Sequence, residues 1–131
     1  MVTEARPFTY LWNPPNNELS ASQELVAETV ALDLDADFLL TGIYLTLWTG
    51  AFQIQILDSF DYALMSGYMN SKALSTSAGY PSALGVGHVF AAGGTIKINI
   101  QDLSGAPNPL QLAFVGEKLF RVNTEQGGRR R

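Results

Sequence analysis

The stretch Thr95-Ile96-Lys97-Ile98-Asn99-Ile100-Gln101 alternates strictly between apolar and polar residues. Successive side chains of a β-strand point to opposite faces of its sheet, so the three isoleucines share one face and the polar residues share the other. One face buried and one face open is the pattern of an antiparallel sheet. This stretch therefore predicts a strand with its isoleucines in a core.

The same period appears on both sides of this stretch. Further strands are predicted at residues 8–12, 29–35, 38–48, 52–56, 110–114 and 119–122, with shorter ones in the glycine-rich segment 59–92. Gly42 marks a candidate bulge, Gly50 a tight hairpin from Trp48 to Phe52, and Leu32 and Leu34 are expected to point inward. Seven or eight strands joined by Gly/Pro-rich turns predict an all-β, antiparallel β-sandwich, with the jelly roll as one candidate arrangement. Residues 1–125 are expected to form one domain, followed by a flexible basic tail at 126–131.

The composition bears on function. Charged residues make up only 15% of the 131-residue chain, and hydrophobic residues make up 47%. Either the core is well filled beneath an uncharged polar surface, or partners cover part of the surface. The net charge of −4 argues against nucleic-acid binding by the domain as a whole. The longest apolar run, at 38–48, is shorter than the roughly 20 residues of a membrane span, so a soluble protein made in the cytosol is expected.

No constellation of residues points to an enzyme or to a bound cofactor, and neither is expected. The chain has no cysteine, and its one histidine, His88, is more often an ordinarily hydrogen-bonded residue than a general base. Asp33, Asp35 and Asp37 form the one metal candidate, because alternate carboxylates can supply oxygen ligands to calcium. They lack the glycine and the distant glutamate of an EF-hand loop, so the solvent face of a strand is the competing interpretation. A glycosidase is a further alternative, because two acidic residues from distant loops can meet in a folded chain.

Two further groups are candidates for interaction. Three arginines after a glycine pair can bind nucleic acid or an acidic protein surface, although a solvated tail is the alternative. The aromatics Phe8, Tyr10 and Trp12 can form an exposed binding patch, or they can belong to the core. The interaction candidates are Phe8, Tyr10, Trp12, Tyr68, Tyr80, Arg129, Arg130 and Arg131.

A set of short motifs, in order along the chain, carries a resemblance. They are Pro7-Phe8-Thr9-Tyr10, Leu19-Ser20-Ala21-Ser22-Gln23, Asp35-Ala36-Asp37-Phe38, Ala92-Gly93-Gly94-Thr95-Ile96, Ile100-Gln101-Asp102-Leu103-Ser104-Gly105 and the segment from Leu112 to Phe120. Together they resemble small structural proteins encoded among the head genes of tailed bacteriophages. The segment from Asp61 to Val89 carries no matching motif.

The resemblance implies a β-sandwich accessory of the capsid, neck or collar that assembles in many symmetric copies. It implies a location in the virion, partners among the major capsid or portal-region proteins and copies of the chain itself, and no catalytic residues. The competing hypothesis is a carbohydrate- or receptor-binding module of the fibre or lectin kind. In that module Trp12, Trp48, Tyr62, Tyr68 and Tyr80 are the aromatics that could stack on sugars.

Overall fold

The alternating segments of the sequence form strands. A computed structural model of the chain describes residues 2–74 and 82–122, and that part contains nine strands and two short 3-10 turns, Pro15–Asn17 and Ser71–Ala73. The strands are β1 (Val2–Trp12), β2 (Glu18–Leu19), β3 (Glu24–Ala31), β4 (Asp37–Trp48), β5 (Phe52–Leu57), β6 (Met69–Asn70), β7 (Ser82–Phe90), β8 (Thr95–Asp102) and β9 (Asn108–Val122).

The strands form two antiparallel sheets. The first sheet has the order β1-β9-β4-β7, with the short β2 pairing with the start of β9, and the second has the order β3-β8-β5-β6. Three pairs join strands that are distant in sequence, β1 with β9, β3 with β8 and β4 with β7, and they enclose the pair of consecutive strands β5 and β6. These nested pairs, divided between two sheets, have the topology of a jelly roll. The predicted all-β sandwich is confirmed, and the jelly-roll candidate describes its strand order.

The core lies between the inward faces of the two sheets. The three isoleucines of β8 are fully buried, as are Phe52, Ile54 and Ile56 of β5. The first sheet contributes Phe38, Leu40 and Ile43 of β4, Leu110, Leu112 and Phe114 of β9, and Phe90 of β7. Burying apolar area stabilises the fold by roughly 25 cal/mol per Å², so this double layer is the main source of stability.

The predicted hairpin at Gly50 is wrong. β4 belongs to the first sheet and β5 to the second, so the chain crosses between the sheets here. The crossing is held by Asn108, which is fully buried. Its amide donates to Gly50 O at 3.0 Å and to Ala51 O at 3.3 Å, and its Oδ1 accepts from Gly50 N–H at 2.9 Å. These side-chain bonds replace the strand pairing that a hairpin would have supplied.

The predicted strand at residues 29–35 ends earlier. β3 stops at Ala31, and residues 34–35 form a turn. Leu32 is buried as expected, whereas Leu34 is 87% exposed. The bulge predicted near Gly42 is present, since the register of β4 against both of its neighbours shifts between Leu40 and Gly42.

Candidate functional site

The three aspartates proposed as metal ligands lie in the β3–β4 loop and at the start of β4. Lys118 on β9 is buried beneath them, and its ammonium donates to Asp33 Oδ2 at 2.7 Å and to Asp35 at 3.2 Å. The same Nζ lies 4.1 Å from the centre of the Phe8 ring. The bond to Asp33 raises the pKa of Lys118, and Asp35 adds to this while burial opposes it. Two of the three carboxylates therefore already bind a cation that belongs to the chain.

Asp37 does not join this pair. Its Oδ1 accepts from Ala92 N–H at 2.9 Å, and its Oδ2 lies 4.0 Å from the Arg121 guanidinium. Within residues 2–74 and 82–122, no three acidic or imidazole side chains are grouped as a metal ion requires. In this arrangement the acidic cluster is explained by internal ion pairs.

His88 lies on β7 and lines a pocket. Its Nε2 is 3.2 Å from Asp58 Oδ2, its ring stacks on Tyr62 at 5.6 Å between centroids, and it meets the edge of Phe90 at 4.9 Å. The pocket encloses about 320 Å³ and is lined otherwise by Leu64, Met65, Met69 and Gly87. The imidazole is thus held between two rings and a carboxylate, beside thioether and aliphatic groups.

Asp58 organises the loop that carries this pocket. Burial acts to raise the pKa of Asp58, but hydrogen bonds from the Tyr62 and Phe60 N–H groups and from His88 outweigh burial and lower it. Its Oδ1 accepts both N–H groups, at 3.0 and 2.9 Å, while its Oδ2 faces His88. The pair joins the loop after β5 to β7, and its geometry is that of a structural tether.

The aromatic candidates separate into core and surface groups. Tyr10 and Trp12 are buried, and the Tyr10 hydroxyl accepts from Asp33 N–H at 3.1 Å. Phe8 lies at the edge beside Tyr10 and is partly exposed. Tyr68 is also partly exposed and donates to Glu24 at 2.6 Å. The predictions for Tyr80, Arg129, Arg130 and Arg131 fall outside the described residues.

The outer face of the first sheet carries few charged side chains. Alternation along β1, β4, β7 and β9 places apolar and hydroxyl side chains there, including Thr9, Leu11, Leu39, Thr41, Tyr44, Leu47, Val89, Val115 and Leu119. Leu11, Leu47 and Val89 are each about half exposed. On the part of this face that the structure describes, the charged side chains are Glu117 near its middle and the Arg121–Asp37 pair at one end.

The outer face of the second sheet is built of amides. Gln53 Nε2 donates to Gln101 Oε1 at 2.9 Å, and Asn99 Nδ2 donates to Gln55 Oε1 at 3.3 Å. Asn99 also accepts from Ala27 N–H at 2.8 Å on the edge strand β3. Because β8 and β5 lie between β3 and β6, the bond from Tyr68 to Glu24 spans this face.

Comparison with known proteins gives no relative: no family model, no curated protein and no solved structure matches the chain. In residues 2–74 and 82–122, no helix has the length and apolarity to cross a membrane.

Sequence reasoning missed both outer faces as sites. It weighed single aromatics and acids, whereas each face is defined by residues that only strand pairing brings together. The polar half of each alternating segment was the available signal: glutamine and asparagine in residues 53–55 and 99–101, but leucine, valine and threonine in β1, β4 and β9.

Proposed function

We propose that this chain is a non-enzymatic structural protein of a tailed-bacteriophage virion. It is an accessory of the head or neck, a decoration or collar protein, that binds capsid or portal-region proteins and copies of itself. The observation that carries the proposal is the scarcity of charge on the outer face of the first sheet. The centre of a protein–protein interface is depleted of charged residues, as this face is.

The exposed leucines on this face support assembly more than they support a free monomer. Leu11 and Leu47 lie toward the same end, because Leu11 is opposite Ala113 and Leu47 is opposite Gln111 on β9. Ala113 on β9 lies between their strands and is fully buried, and its alternation with the inward-facing Leu112 and Phe114 places it on the outer side. Exposed leucines on neighbouring strands of one weakly charged face support an interaction site there.

The edge strands β1 and β3 are less suited to assembly than this face. On β1 the residue opposite Glu117 is Pro7, which has no N–H to offer to a further strand. On β3 the register shifts between Leu25 and Glu28, and Ala27 has a positive φ of 59°. Prolines and bulges on edges oppose strand addition, so copies are expected to associate through faces.

The placement in a virion comes from the resemblance of the motifs between Pro7 and Phe120 to phage head proteins. The fold is compatible with it, because jelly rolls occur in viral capsid domains, and also in lectins. Fold alone does not assign function, and the assembly behaviour of the chain is therefore the property to test.

The test is the mass of the purified protein by light scattering across a concentration series. We expect a defined oligomer, and we expect the double variant Leu11→Lys/Leu47→Lys to have the mass of a monomer. The matched control is Gln53→Lys on the opposite outer face, which should assemble like the natural chain. A natural chain that stays monomeric at every concentration and does not bind phage heads would contradict the proposal.

A second candidate function has one observation in its favour. Tyr68 is partly exposed and bonds to Glu24 on the second sheet, whose outer face carries paired amides, and amides with an aromatic ring on one face can hydrogen-bond and stack on a sugar. This supports the carbohydrate- or receptor-binding alternative. A glycan array would detect it, with Tyr68→Ala and Gln101→Ala as variants that should lose the signal. The absence of binding at high protein concentration would remove this candidate.

A further inference from the structure

Three loops meet at one end of the sandwich: residues 32–36, 58–62 and 91–94. We call this the acidic loop end. Leu32 N–H donates to Gly94 O and Gly93 N–H donates to Asp33 O, each at 3.0 Å, so the first and third loops are joined directly. A Cβ built on Gly94 would lie 3.0 Å from Ser59 Oγ, which places the second loop against the third. The three loops therefore form one surface.

Two large apolar side chains project from this surface. Leu34 is 87% exposed and Phe60 is 85% exposed, the highest values among the large hydrophobic residues that the structure describes. Leu34 lies over Gly93, where φ is +74° and where an added Cβ would come within 2.5 Å of Leu34 Cδ2. Leu34 therefore lies at the surface beside a glycine and does not pack in the core. Its exposed apolar area adds nothing to the stability of the fold.

The charges around these two side chains are mostly negative. Five aspartates lie in or beside the loops: Asp33, Asp35, Asp37, Asp58 and Asp61. Three strand cations face them, since Lys118 binds Asp33 and Asp35, Lys97 donates to Asp61 at 2.6 Å, and Arg121 lies near Asp37. A groove of about 380 Å³ next to Leu34 includes Asp35, Asp37 and Arg121 in its lining. Acids therefore outnumber cations around the apolar tips.

We propose that the acidic loop end inserts Leu34 and Phe60 into an apolar pocket of a partner protein whose rim carries lysine and arginine. Interfaces are anchored by a few apolar side chains, and opposite charges at the rim set the orientation and the rate of encounter. The proposal rests on the proposed function, in which this end meets another virion protein while the outer face of the first sheet meets copies of the chain.

Other occupants fit less well. An anionic membrane would repel the aspartates that surround the apolar tips. The chain's own arginines at 129–131 match the charge, but residues 123–131 contain no large apolar side chain that could cover Leu34 and Phe60. The combination of apolar tips and an acidic surround selects a basic, apolar protein surface.

The test uses two designed amphipathic helical peptides as probes, one of leucine and lysine and one of leucine and glutamate with the same apolar face. Each is titrated into the full chain, and binding is followed by NMR through backbone amide shifts. We expect only the lysine peptide to bind, with shifts confined to residues 32–36, 58–62 and 91–94 and with weaker binding as salt is raised. The variant Leu34→Ser/Phe60→Ser should bind about tenfold more weakly. Leu103→Ser, an exposed leucine at the opposite end, should bind like the natural chain.

Several results would overturn the inference. They are equal binding of both peptides, shifts that map elsewhere, and an unchanged affinity in the Leu34→Ser/Phe60→Ser variant. Two other results would assign this end to a different occupant. Binding of the natural chain to vesicles of anionic phospholipid would assign it to a membrane, and full competition by a free peptide of residues 123–131 would assign it to the chain itself. Two measurements separate this inference from the proposed function. In light scattering, Leu34→Ser/Phe60→Ser should assemble like the natural chain, and in the peptide titration Leu11→Lys/Leu47→Lys should bind like the natural chain.

Discussion

The two sheets of the sandwich are built by different means. In the second sheet the central strands β5 and β8 pair over six residues with no register shift, every second residue of each is buried, and the described shift lies on the edge strand β3. In the first sheet β4 has two register shifts against β9, and Gly116 of β9 is pressed against the backbone of β4. A regular sheet needs only the alternation of apolar and polar residues, whereas an irregular one needs particular residues at particular places.

The outer faces differ in the same way. The amides of the second sheet bond to one another and to backbone, so that face already satisfies its own polar groups. The outer face of the first sheet presents leucine, valine and threonine with little charge. We expect the first face to be the one that other proteins cover, and the following predictions test whether the contrast is real.

The largest expected effect is that of Gly116→Ala in the irregular sheet. An added Cβ would lie 1.8 Å from the Leu39 carbonyl oxygen and 2.9 Å from its carbon, and backbone cannot move aside cheaply. Overpacking of a core usually costs about 1–3 kcal/mol. Because the clash here is with backbone in two central strands, we expect a loss of about 4 kcal/mol or more in urea unfolding, or no folded protein.

Gly67→Ala is the matched control for this prediction. No heavy atom lies within 4 Å of the Cβ that it would add, and its φ is not in the left-handed region. The free energy of unfolding should change by less than about 0.5 kcal/mol. Equal effects of the two substitutions would mean that β9 and β4 do not approach as closely as described.

The regular sheet was the part that sequence could predict. The isoleucines at 96, 98 and 100 alternate with polar residues, and all three are fully buried on the predicted face. Residues 52–56 were predicted by the same period and have the same burial pattern. Where a strand has one apolar and one polar face, the pattern alone states which side is the core.

The irregular sheet was predicted less well, for physical reasons. β9 is one strand of 15 residues, but residues 110–114 and 119–122 were predicted as separate strands. The alternation continues between these two segments, where the inward positions are Gly116 and Lys118. Neither glycine nor lysine is typical of a core, so the sequence does not indicate a strand there. Lys118 is buried only because Asp33 and Asp35 neutralise it, and such a pairing across 83–85 positions is invisible in sequence.

The candidate site was predicted least. Leu34 was expected to point inward as part of a strand, and the turn at residues 34–35 exposes it instead. Asp33 and Asp35 were identified as a charge cluster, but their partner was not. Interaction surfaces join residues from several strands or loops, so their members become a group only when the topology is known.

The next effect in size concerns Asp102, where β8 of the second sheet leads toward β9 of the first. Burial alone would raise its pKa, but hydrogen bonds from the Ser104 hydroxyl, the Ser22 N–H and the Asn108 amide hold the pKa at about 2, below the ordinary 3.8. The ionised form is therefore favoured by folding, and its contribution is full above about pH 4 and is lost as the pH falls toward 2. We expect Asp102→Asn to cost about 2 kcal/mol near neutral pH, because an amide cannot accept all of these bonds.

The pH dependence separates this account from simple loss of packing. The difference in unfolding free energy between the natural chain and Asp102→Asn, measured in urea, should shrink as the pH is lowered from 5 to 2. Asp61→Asn is the control, since Asp61 is largely exposed and pairs with the Lys97 ammonium at the surface. A difference that stayed constant with pH would show that the charge of Asp102 does not matter.

A smaller effect is expected at Lys118, the charged residue inside the irregular sheet. Lys118→Met keeps most of the side-chain volume and removes the ammonium from Asp33 and Asp35, whose side chains are 55% and 51% exposed and can be hydrated instead. We expect a loss of about 1–2 kcal/mol in thermal or urea unfolding. The same experiment tests the metal interpretation: calcium should not change the melting temperature of the natural chain, because Lys118 occupies the carboxylates. A rise in melting temperature with calcium would contradict this.

The smallest effect lies on the amide face of the regular sheet. Gln53 and Gln101 share one side-chain hydrogen bond of 2.9 Å at half-buried positions, where water competes for the same groups. In a double-mutant cycle with Gln53→Thr and Gln101→Thr, we expect a coupling energy of about 0.5 kcal/mol. The control pair is Gln53→Thr with Thr29→Ala on β3, which should be additive. A coupling energy well above 1 kcal/mol would mean that this bond is shielded from water. Such shielding is expected if a partner covers the amide face instead of the outer face of the first sheet. The roles assigned to the two faces would then have to be reversed.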